Sequence, residues 1–319
     1  GSGPGDAAVE RWFVEPERLM YKVSEIGGRV VAGFDDGNPL FLARLDAKLA
    51  CVVKEVRPGD YVRAGALVDQ IERLAPLAHP NWAEVLVAFY PRKGVPAHRG
   101  EVPKVVLRHV RGGTALSDWL VPPGQSRGRG AGEVGGAAAA SPSSSRKRLG
   151  PAPRIAQVSV PARCRIIDGL LSAVLYLHAN NLVHQMVTPA NVLLDADLLP
   201  RLRPSVATGA IHSRDLWTNR TETLLYTAPE TLAGAAAYTP AADVWAVGAC
   251  ALELVLAAPW NAAFPDADAF ARALLGDLPL ERLDAHEVAA AGWPPEVLEL
   301  VRACLQKDPA KRPTLAVAR

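Results

Sequence analysis

Cysteine is scarce in this chain: four in 319 residues, at positions 51, 164, 250 and 304. They are widely spaced and lie in or near apolar runs. That pattern fits reduced, buried thiols better than a disulfide framework or a zinc site, and points to an intracellular protein. Net charge is nearly absent as well. Lys and Arg number 35 against 33 Asp and Glu, a formal +2, so no overall field marks a binder of nucleic acid or of a membrane surface. No run of about 18 apolar residues free of charge occurs. The opening Gly1-Ser2-Gly3-Pro4-Gly5 has no apolar signal core, so neither a membrane span nor a secretory leader is expected.

What is present is ample apolar content, enough for one bilobal domain or two ordinary ones. Residues 29–32, 40–44 and 49–54 are short β-rich runs separated by Gly, Asp, Asn and Pro, and predict an antiparallel meander. A helix is predicted over 65–77, with apolar residues 67, 68, 71 and 74 at helical spacing and Pro76 at its end. Strands near 85–90 and 104–110 complete a small lobe. From 121 to 156 the composition shifts to Gly, Ala, Ser, Pro and Arg, which cannot bury enough apolar area to offset the entropy of ordering, so a disordered insertion is expected there. Its Arg146-Lys147-Arg148 cluster is read as a solvated charge run. The other reading is a recruiting element that the rest of the fold displays. Beyond it the chain turns helical. Ile166, Ile167, Leu170, Leu171, Val174, Leu175 and Leu177 share one face, a long apolar helix covers 241–257, and a last pair lies near 297–305 and 314–318. Strands first and helices afterwards predict a two-lobed α+β architecture.

Laid end to end, the motifs resemble a eukaryotic protein kinase over roughly residues 20–319. Lys54 closes Cys51-Val52-Val53-Lys54 like the family's strand lysine, and 74–81 is similar to the end of the helix that follows. Leu107–Leu120 looks like the hinge region, and Val183-His184-Gln185-Met186-Val187-Thr188-Pro189-Ala190-Asn191 like the catalytic loop. Thr227-Ala228-Pro229-Glu230, Asp243-Val244-Trp245-Ala246-Val247-Gly248 and the terminal stretch from Cys304 to Thr314 match later motifs. The resemblance implies a bilobal kinase-like fold: an N-terminal extension over 1–19, a small β-rich N-lobe over 20–110, and a larger helical C-lobe over 111–319 carrying the insertion. It also implies that Arg312 pairs with Glu230 and that Asp243 holds the catalytic loop through backbone amides. Residues 182–184 and 188–191 are further similar to the secreted rhoptry-type pseudokinases of apicomplexan parasites, which would imply a secreted protein instead.

The departures from the family gather where phosphoryl transfer happens. The family's catalytic-loop Asp accepts the substrate hydroxyl proton and its Asn holds magnesium; here Met186, a thioether, stands at the Asp position, and Asn191 is kept. Asp35 and Asn38 replace phosphate-loop glycines, and a carboxylate about 4 Å from a phosphate charge costs roughly 4 kcal/mol at an effective dielectric of about 20. Gln70, nine residues before His79, stands for the glutamate that pairs with the lysine. Thr188 replaces the catalytic-loop lysine, and Pro204-Ser205-Val206 replaces the metal-binding Asp-Phe-Gly. Ser205 in place of phenylalanine interrupts a column that would include His184 and Leu74.

No carboxylate remains at Pro204 to hold the bridging metal, so neither a metal site nor a catalytic residue is expected. Lys54, Asn191, Leu107, Val52 and Leu193 are read as a vestigial cofactor site, with no cofactor required. The resemblance implies a catalytically inactive pseudokinase with weak or no binding of ATP and magnesium, acting as a scaffold or allosteric regulator. Its partner would be a protein, such as an active kinase or a multiprotein complex, and not nucleic acid or membrane. The competing expectation is an atypical nucleotide-binding enzyme with rerouted phosphoryl or nucleotidyl transfer built on Lys54, Asn191 and acids such as Asp195 or Asp197.

Overall fold

The computed structural model describes residues 40–45, 49–55, 73–89, 104–121, 153–204, 209–210, 226–234, 238–258, 280–284 and 286–314. The predicted strand at 29–32, the phosphate-loop residues Asp35 and Asn38, Gln70, most of the 65–77 helix, Arg146–Arg148 and Ser205 lie outside them.

Strands β1 (Leu40–Leu45) and β2 (Leu49–Glu55) form an antiparallel hairpin with Leu40 opposite Lys54 and Leu45 opposite Leu49. Their β-branched and apolar content favours a pleated, half-buried surface. The next strand along the chain, β3 (Val85–Phe89), does not join β2. Instead β4 (Lys104–Arg108) inserts between them, giving the order β1-β2-β4-β3 with every pairing antiparallel. Periodicity finds strands but not their neighbours, so the crossover was not visible in the sequence. Of the predicted 65–77 helix, Arg73 and Leu74 are helical and the chain turns at Ala75-Pro76.

The segment after that turn is fastened to the second lobe. The Ala78 amide donates to the Tyr176 hydroxyl (3.2 Å), the His79 ring stacks on Tyr176 at 4.9 Å and its Nε2 meets Ser172 Oγ at 3.2 Å, and Asn81 Nδ2 donates to the Pro200 carbonyl at 2.9 Å. Asn81 O accepts from Leu202 N, and Leu202 O from Ala83 N.

A two-residue strand β5 (Thr114–Ala115) leads into helix α1 (Leu116–Leu120), whose Leu116 and Leu120 are fully buried. Of the insertion expected over 121–156, residues 122–152 lie outside the described residues, and the residues at its two ends have defined structure. Val121 is already buried, and Arg154–Gln157 form a 3-10 turn in which Ile155 has no exposed surface and the Arg154 guanidinium lies 4.2 Å from the Trp119 ring centre. One apolar residue inside a Pro- and Ala-rich run gives no periodic signal, yet it is wholly buried.

Helix α2 (Val160–Ala179) buries Ile166, Ile167, Leu170, Leu171, Val174 and Leu177, while Leu175 is only half-buried. Helix α3 (Pro229–Leu232) is short. Helix α4 (Pro240–Leu256), with Pro in its first turn where the missing N–H costs nothing, is buried continuously from Ala242 to Val255 and forms the lobe's axis. Short helix α5 (His286–Ala290) precedes α6 (Pro295–Cys304), which packs on α4 at Gly248; a Cβ there would stand 2.6 Å from Cys304 Cβ. Thr314, expected to open a last helix, is irregular. All four cysteines are thiols, with Cys51, Cys250 and Cys304 buried and Cys164 half-buried. Among the described residues no helix is long and apolar enough to cross a membrane.

Candidate functional site

Past α2 the chain runs through β6 (Leu182–Val183), a loop, a 3-10 turn at Pro189–Asn191, then β7 (Val192–Leu194), which hairpins onto β8 (Pro200–Leu202); β9 (Gly209–Ala210) pairs with β6. Asp243, in the first turn of α4 and fully buried, anchors this loop from below. Its Oδ2 accepts from the His184 amide (2.7 Å), its Oδ1 from the Gln185 amide (2.8 Å), and His178 Nε2 lies 2.9 Å from Oδ2. Charge-assisted bonds of this kind are about twice as strong as neutral ones. They flank Gln185, which sits at φ +65, a left-handed conformation uncommon for a non-glycine residue.

His184 is buried and its tautomer is set by two contacts. Nδ1 accepts from the Met186 amide at 3.3 Å, so the proton sits on Nε2, which donates to the Arg203 carbonyl at 2.7 Å. The Trp82 ring stands edge-on to His184, with centroids 6.1 Å apart and planes at 87°. Sequence reasoning missed this aromatic partner, because 102 residues separate the two and only the pinned segment before β3 brings them together.

Met186 is 8 % exposed, and its backbone is spent on the loop itself: its amide on His184, its carbonyl on Asn191 Nδ2 at 2.8 Å. The side chain presents a thioether, which accepts no proton at any ordinary pH, to the space where the family motif has a carboxylate. Thr188, nearly buried, receives the Asn191 amide on its carbonyl at 2.9 Å. Asn191 has no exposed surface, and its Oδ1 meets no hydrogen-bond donor. Arg203 continues the β8 strand, its amide donating to Asn191 O at 2.8 Å and its Nη2 to Ala190 O at 2.5 Å. Pro204 follows, buried.

The structure thus brings Met186, Thr188, Asn191 and the approach to Pro204 into one loop cluster. Val52, half-buried in β2, pairs in register with buried Leu107 of β4, while half-buried Leu193 lies in β7 opposite Ala115 and Arg201. Lys54 occupies β2 opposite Val105; its side chain is outside the described residues. A separate concavity of about 390 Å³ behind residues 108–111 is lined by Trp82, Arg111 and Asp197 among others, and Arg108 and Arg201 within it face Glu84 at 2.6 Å and Asp195 at 3.7 Å.

Magnesium, the cofactor ion that such a fold implies, finds a poor set of ligands in this loop. Asn191 Oδ1 is a neutral oxygen in need of a partner, but Met186 and Pro204 bring no carboxylate to the loop. No group of three or more His, Cys, Asp or Glu able to hold a metal occurs among the described residues. A hard divalent cation takes several oxygens, carboxylates foremost; the described residues of this loop do not fit the ion.

Two further motifs complete the lobe. Arg312 Nη1 and Nη2 donate to Glu230 Oε1 and Oε2 at 2.7 and 2.6 Å, while the guanidinium lies 5.1 Å from the Trp245 ring centre. The buried Tyr226 hydroxyl donates to Glu253 Oε2 at 3.0 Å.

Comparison with known proteins agrees with this geometry. The profile of the protein kinase domain matches residues 154–319, just over half the chain. Among curated proteins the chain is similar to cyclin-dependent kinase 8 of Caenorhabditis elegans, 36% identical over 104 residues, covering 30% of this chain and 18% of that protein. It is similar to cyclin-dependent kinase 20 of Rattus norvegicus, 38% identical over 93 residues, covering 28% of this chain and 27% of that protein. It is also similar to serine/threonine-protein kinase dst3 of Dictyostelium discoideum, 26% identical over 161 residues, covering 50% of this chain and 27% of that protein. The chain spans less than a third of the length of each of these relatives. With the matched profile and the α+β arrangement of a small sheet and a helical lobe, the chain belongs to the protein kinase domain family.

Proposed function

We propose that the chain is a pseudokinase, a kinase-fold protein that acts by binding another protein as a scaffold or allosteric regulator, with weak or no binding of ATP and magnesium. The observation that carries the reading is Met186: a nearly buried thioether in a loop otherwise held in a defined geometry by Asp243, His184 and Asn191. Loss of a general base alone lowers a rate by about 10² to 10⁴, and Thr188, Gln70 and Pro204 remove the other polar groups that transfer requires. The anchoring residues Asp243, Glu230 and Arg312 are kept, which favours a retained shape over a retained reaction. The partner is a protein, such as an active kinase or a multiprotein complex. The names of two relatives describe kinases dependent on cyclins, and a protein-governed role is in keeping with them. An intracellular compartment suits the buried thiols; the likeness of 182–191 to rhoptry-type pseudokinases makes secretion the alternative.

The test is incubation of the purified chain with γ-labelled ATP and magnesium or manganese, with generic protein substrates. The expected result is no transfer, in the wild type and in Met186→Asp alike, since one restored carboxylate supplies neither the metal ligand nor the lysine partner. Transfer that disappears in Lys54→Ala but survives a change of a surface lysine would overturn the proposal in favour of an atypical enzyme. A saturable rise of several degrees in melting temperature with ATP and magnesium would overturn the expectation of weak binding.

A further inference from the structure

The concavity of about 390 Å³ behind residues 108–111 takes in none of the loop from Met186 to Asn191. One wall is the chain entering β3 and leaving β4; the other is the turn from β7 to β8. Both walls are fixed. Gly112, at φ +69, brings the first so close to the second that a Cβ on it would stand 3.3 Å from Ala196 Cβ. The turn is held by Asp195 Oδ1, which accepts from the Asp197 and Leu199 amides at 3.0 and 2.9 Å. Walls set in advance lower the ordering cost of binding a guest. Arg108, Arg111 and Arg201 all line the hollow. Arg108 commits only its Nε, to Glu84 Oε2 at 2.6 Å. Arg201 stands 3.7 Å from Asp195 Oδ2, beyond hydrogen-bond reach. Arg111 is exposed and forms no ion pair among the described residues. A guanidinium carries five N–H donors, so the hollow is rich in donors and short of acceptors. Of the acids that line it, Glu84 and Asp195 already face these arginines, and the Asp197 carboxylate alone forms no ion pair among the described residues.

We propose that this hollow is a docking site for an acidic segment of a partner protein, whose Asp and Glu side chains enter among the three arginines. A carboxylate takes two parallel bonds from a guanidinium, which gives the contact direction as well as charge. Asp197 narrows the choice of guest. An inorganic anion or a small polycarboxylate offers acceptors only and is repelled by that carboxylate, whereas a peptide also brings backbone N–H groups that donate to it. The volume suits a few side chains of an extended segment rather than the face of a folded domain. The inference rests on the reading of the chain as a binder of proteins, and it supplies the chemistry of the partner.

The full chain, immobilised at physiological salt, is panned against a random peptide display library, and the best peptide is then titrated in solution by fluorescence anisotropy. Enrichment of Asp and Glu over the starting library is expected. Affinity for that peptide should fall about two- to fivefold in Arg111→Ser and in Arg201→Ser, the worth of single half-exposed ion pairs, and further in the double variant. Arg165→Ser, at an exposed arginine of α2 outside the hollow, should change nothing. Arg111→Glu should refuse the acidic peptide and take its Glu→Lys counterpart. Arg111 has no partner to lose, so an unchanged melting temperature is expected of its variants and keeps the test decisive. Selection without acidic enrichment, or acidic peptides that bind Arg111→Glu as well as the parent, would overturn the site. Displacement of the peptide by citrate at equal ionic strength would make it a small-anion site, and a doubled mass in sedimentation that Arg111→Glu abolishes would give it to a second copy; either would overturn the proposal. Failure of the site would leave the pseudokinase proposal standing, whereas transfer of labelled phosphate would end that proposal without touching the peptide result.

Discussion

Arg312 and Glu230 meet as two parallel hydrogen bonds, Nη1 to Oε1 and Nη2 to Oε2, across 82 residues of sequence, with the arginine side chain wholly buried. Removing one partner from such a pair costs about 3–5 kcal/mol, because the other charge is left uncompensated. Glu230→Ala should therefore lower the unfolding free energy by roughly that amount in urea denaturation. The double change Glu230→Leu with Arg312→Leu should recover part of the loss, as a cycle of the two sites measures.

Asp243 accepts from two buried amides and so sets the form of the loop above it. Asp243→Ala leaves both N–H groups unmet, at about 1–3 kcal/mol each. A destabilisation of about 2–6 kcal/mol is expected from the same cause. A matching loss of hydrogen-exchange protection at the His184 and Gln185 amides, ahead of the rest of the lobe, would locate the effect; uniform loss would refute a local role.

Deletions at the insertion distinguish its true edge. Removing residues 125–152 and joining the ends with a short linker should leave the melting temperature nearly unchanged. Extending the cut through residue 155 removes the fully buried Ile155 and the Arg154 contact with Trp119, and should cost about 2–5 kcal/mol, the range for emptying a buried aliphatic site. Partner capture lost with the shorter deletion would show that the basic cluster does the recruiting.

Stability should fall in alkali. Burial pushes the Cys304 thiol up to about 12 from the ordinary 9.0, with Arg312 opposing. Burial first, then the Asp243 and Glu230 charges, raises Tyr238 well above its ordinary 10.0. In the unfolded chain both groups ionise at their ordinary values while the folded protein still holds the protons. The stability they contribute is thus complete below about pH 9 and is lost as the pH rises toward 12, at about 1.4 kcal/mol per pH unit for each proton held. Urea midpoints from pH 8 to 11 measure the decline, which Cys304→Ala should flatten in part.

Packing at Gly248 gives a sharper case. A Cβ there would lie 2.6 Å from Cys304 Cβ and 3.1 Å from Leu305 Cγ, so Gly248→Ala should cost about 1–3 kcal/mol by overpacking the contact of α4 with α6. The paired change Gly248→Ala with Cys304→Gly should recover part of that cost; no recovery would mean that the strain lies elsewhere.

What could be read from the residues depended on whether the signal was local or repeated. Both hairpin strands, β4, α2 and α4 follow periodicity, and the Arg312–Glu230 pair and the hold of Asp243 on the loop follow from motif order. The position of β4 between β2 and β3, the edge-on Trp82 beside His184 and the buried Ile155 are set by single long-range contacts that leave no pattern in the chain. Arg203 is the clearest instance. In sequence it is one basic residue before Pro204; only the fold buries it, with its guanidinium on the Ala190 carbonyl.

Residues 78–82 are tied to the helical lobe by a tyrosine hydroxyl, a histidine stack and an asparagine amide. A segment held at so many points along so short a length cannot slide past α2 without breaking those bonds. The Trp82 ring at its end therefore keeps its place beside the His184 ring.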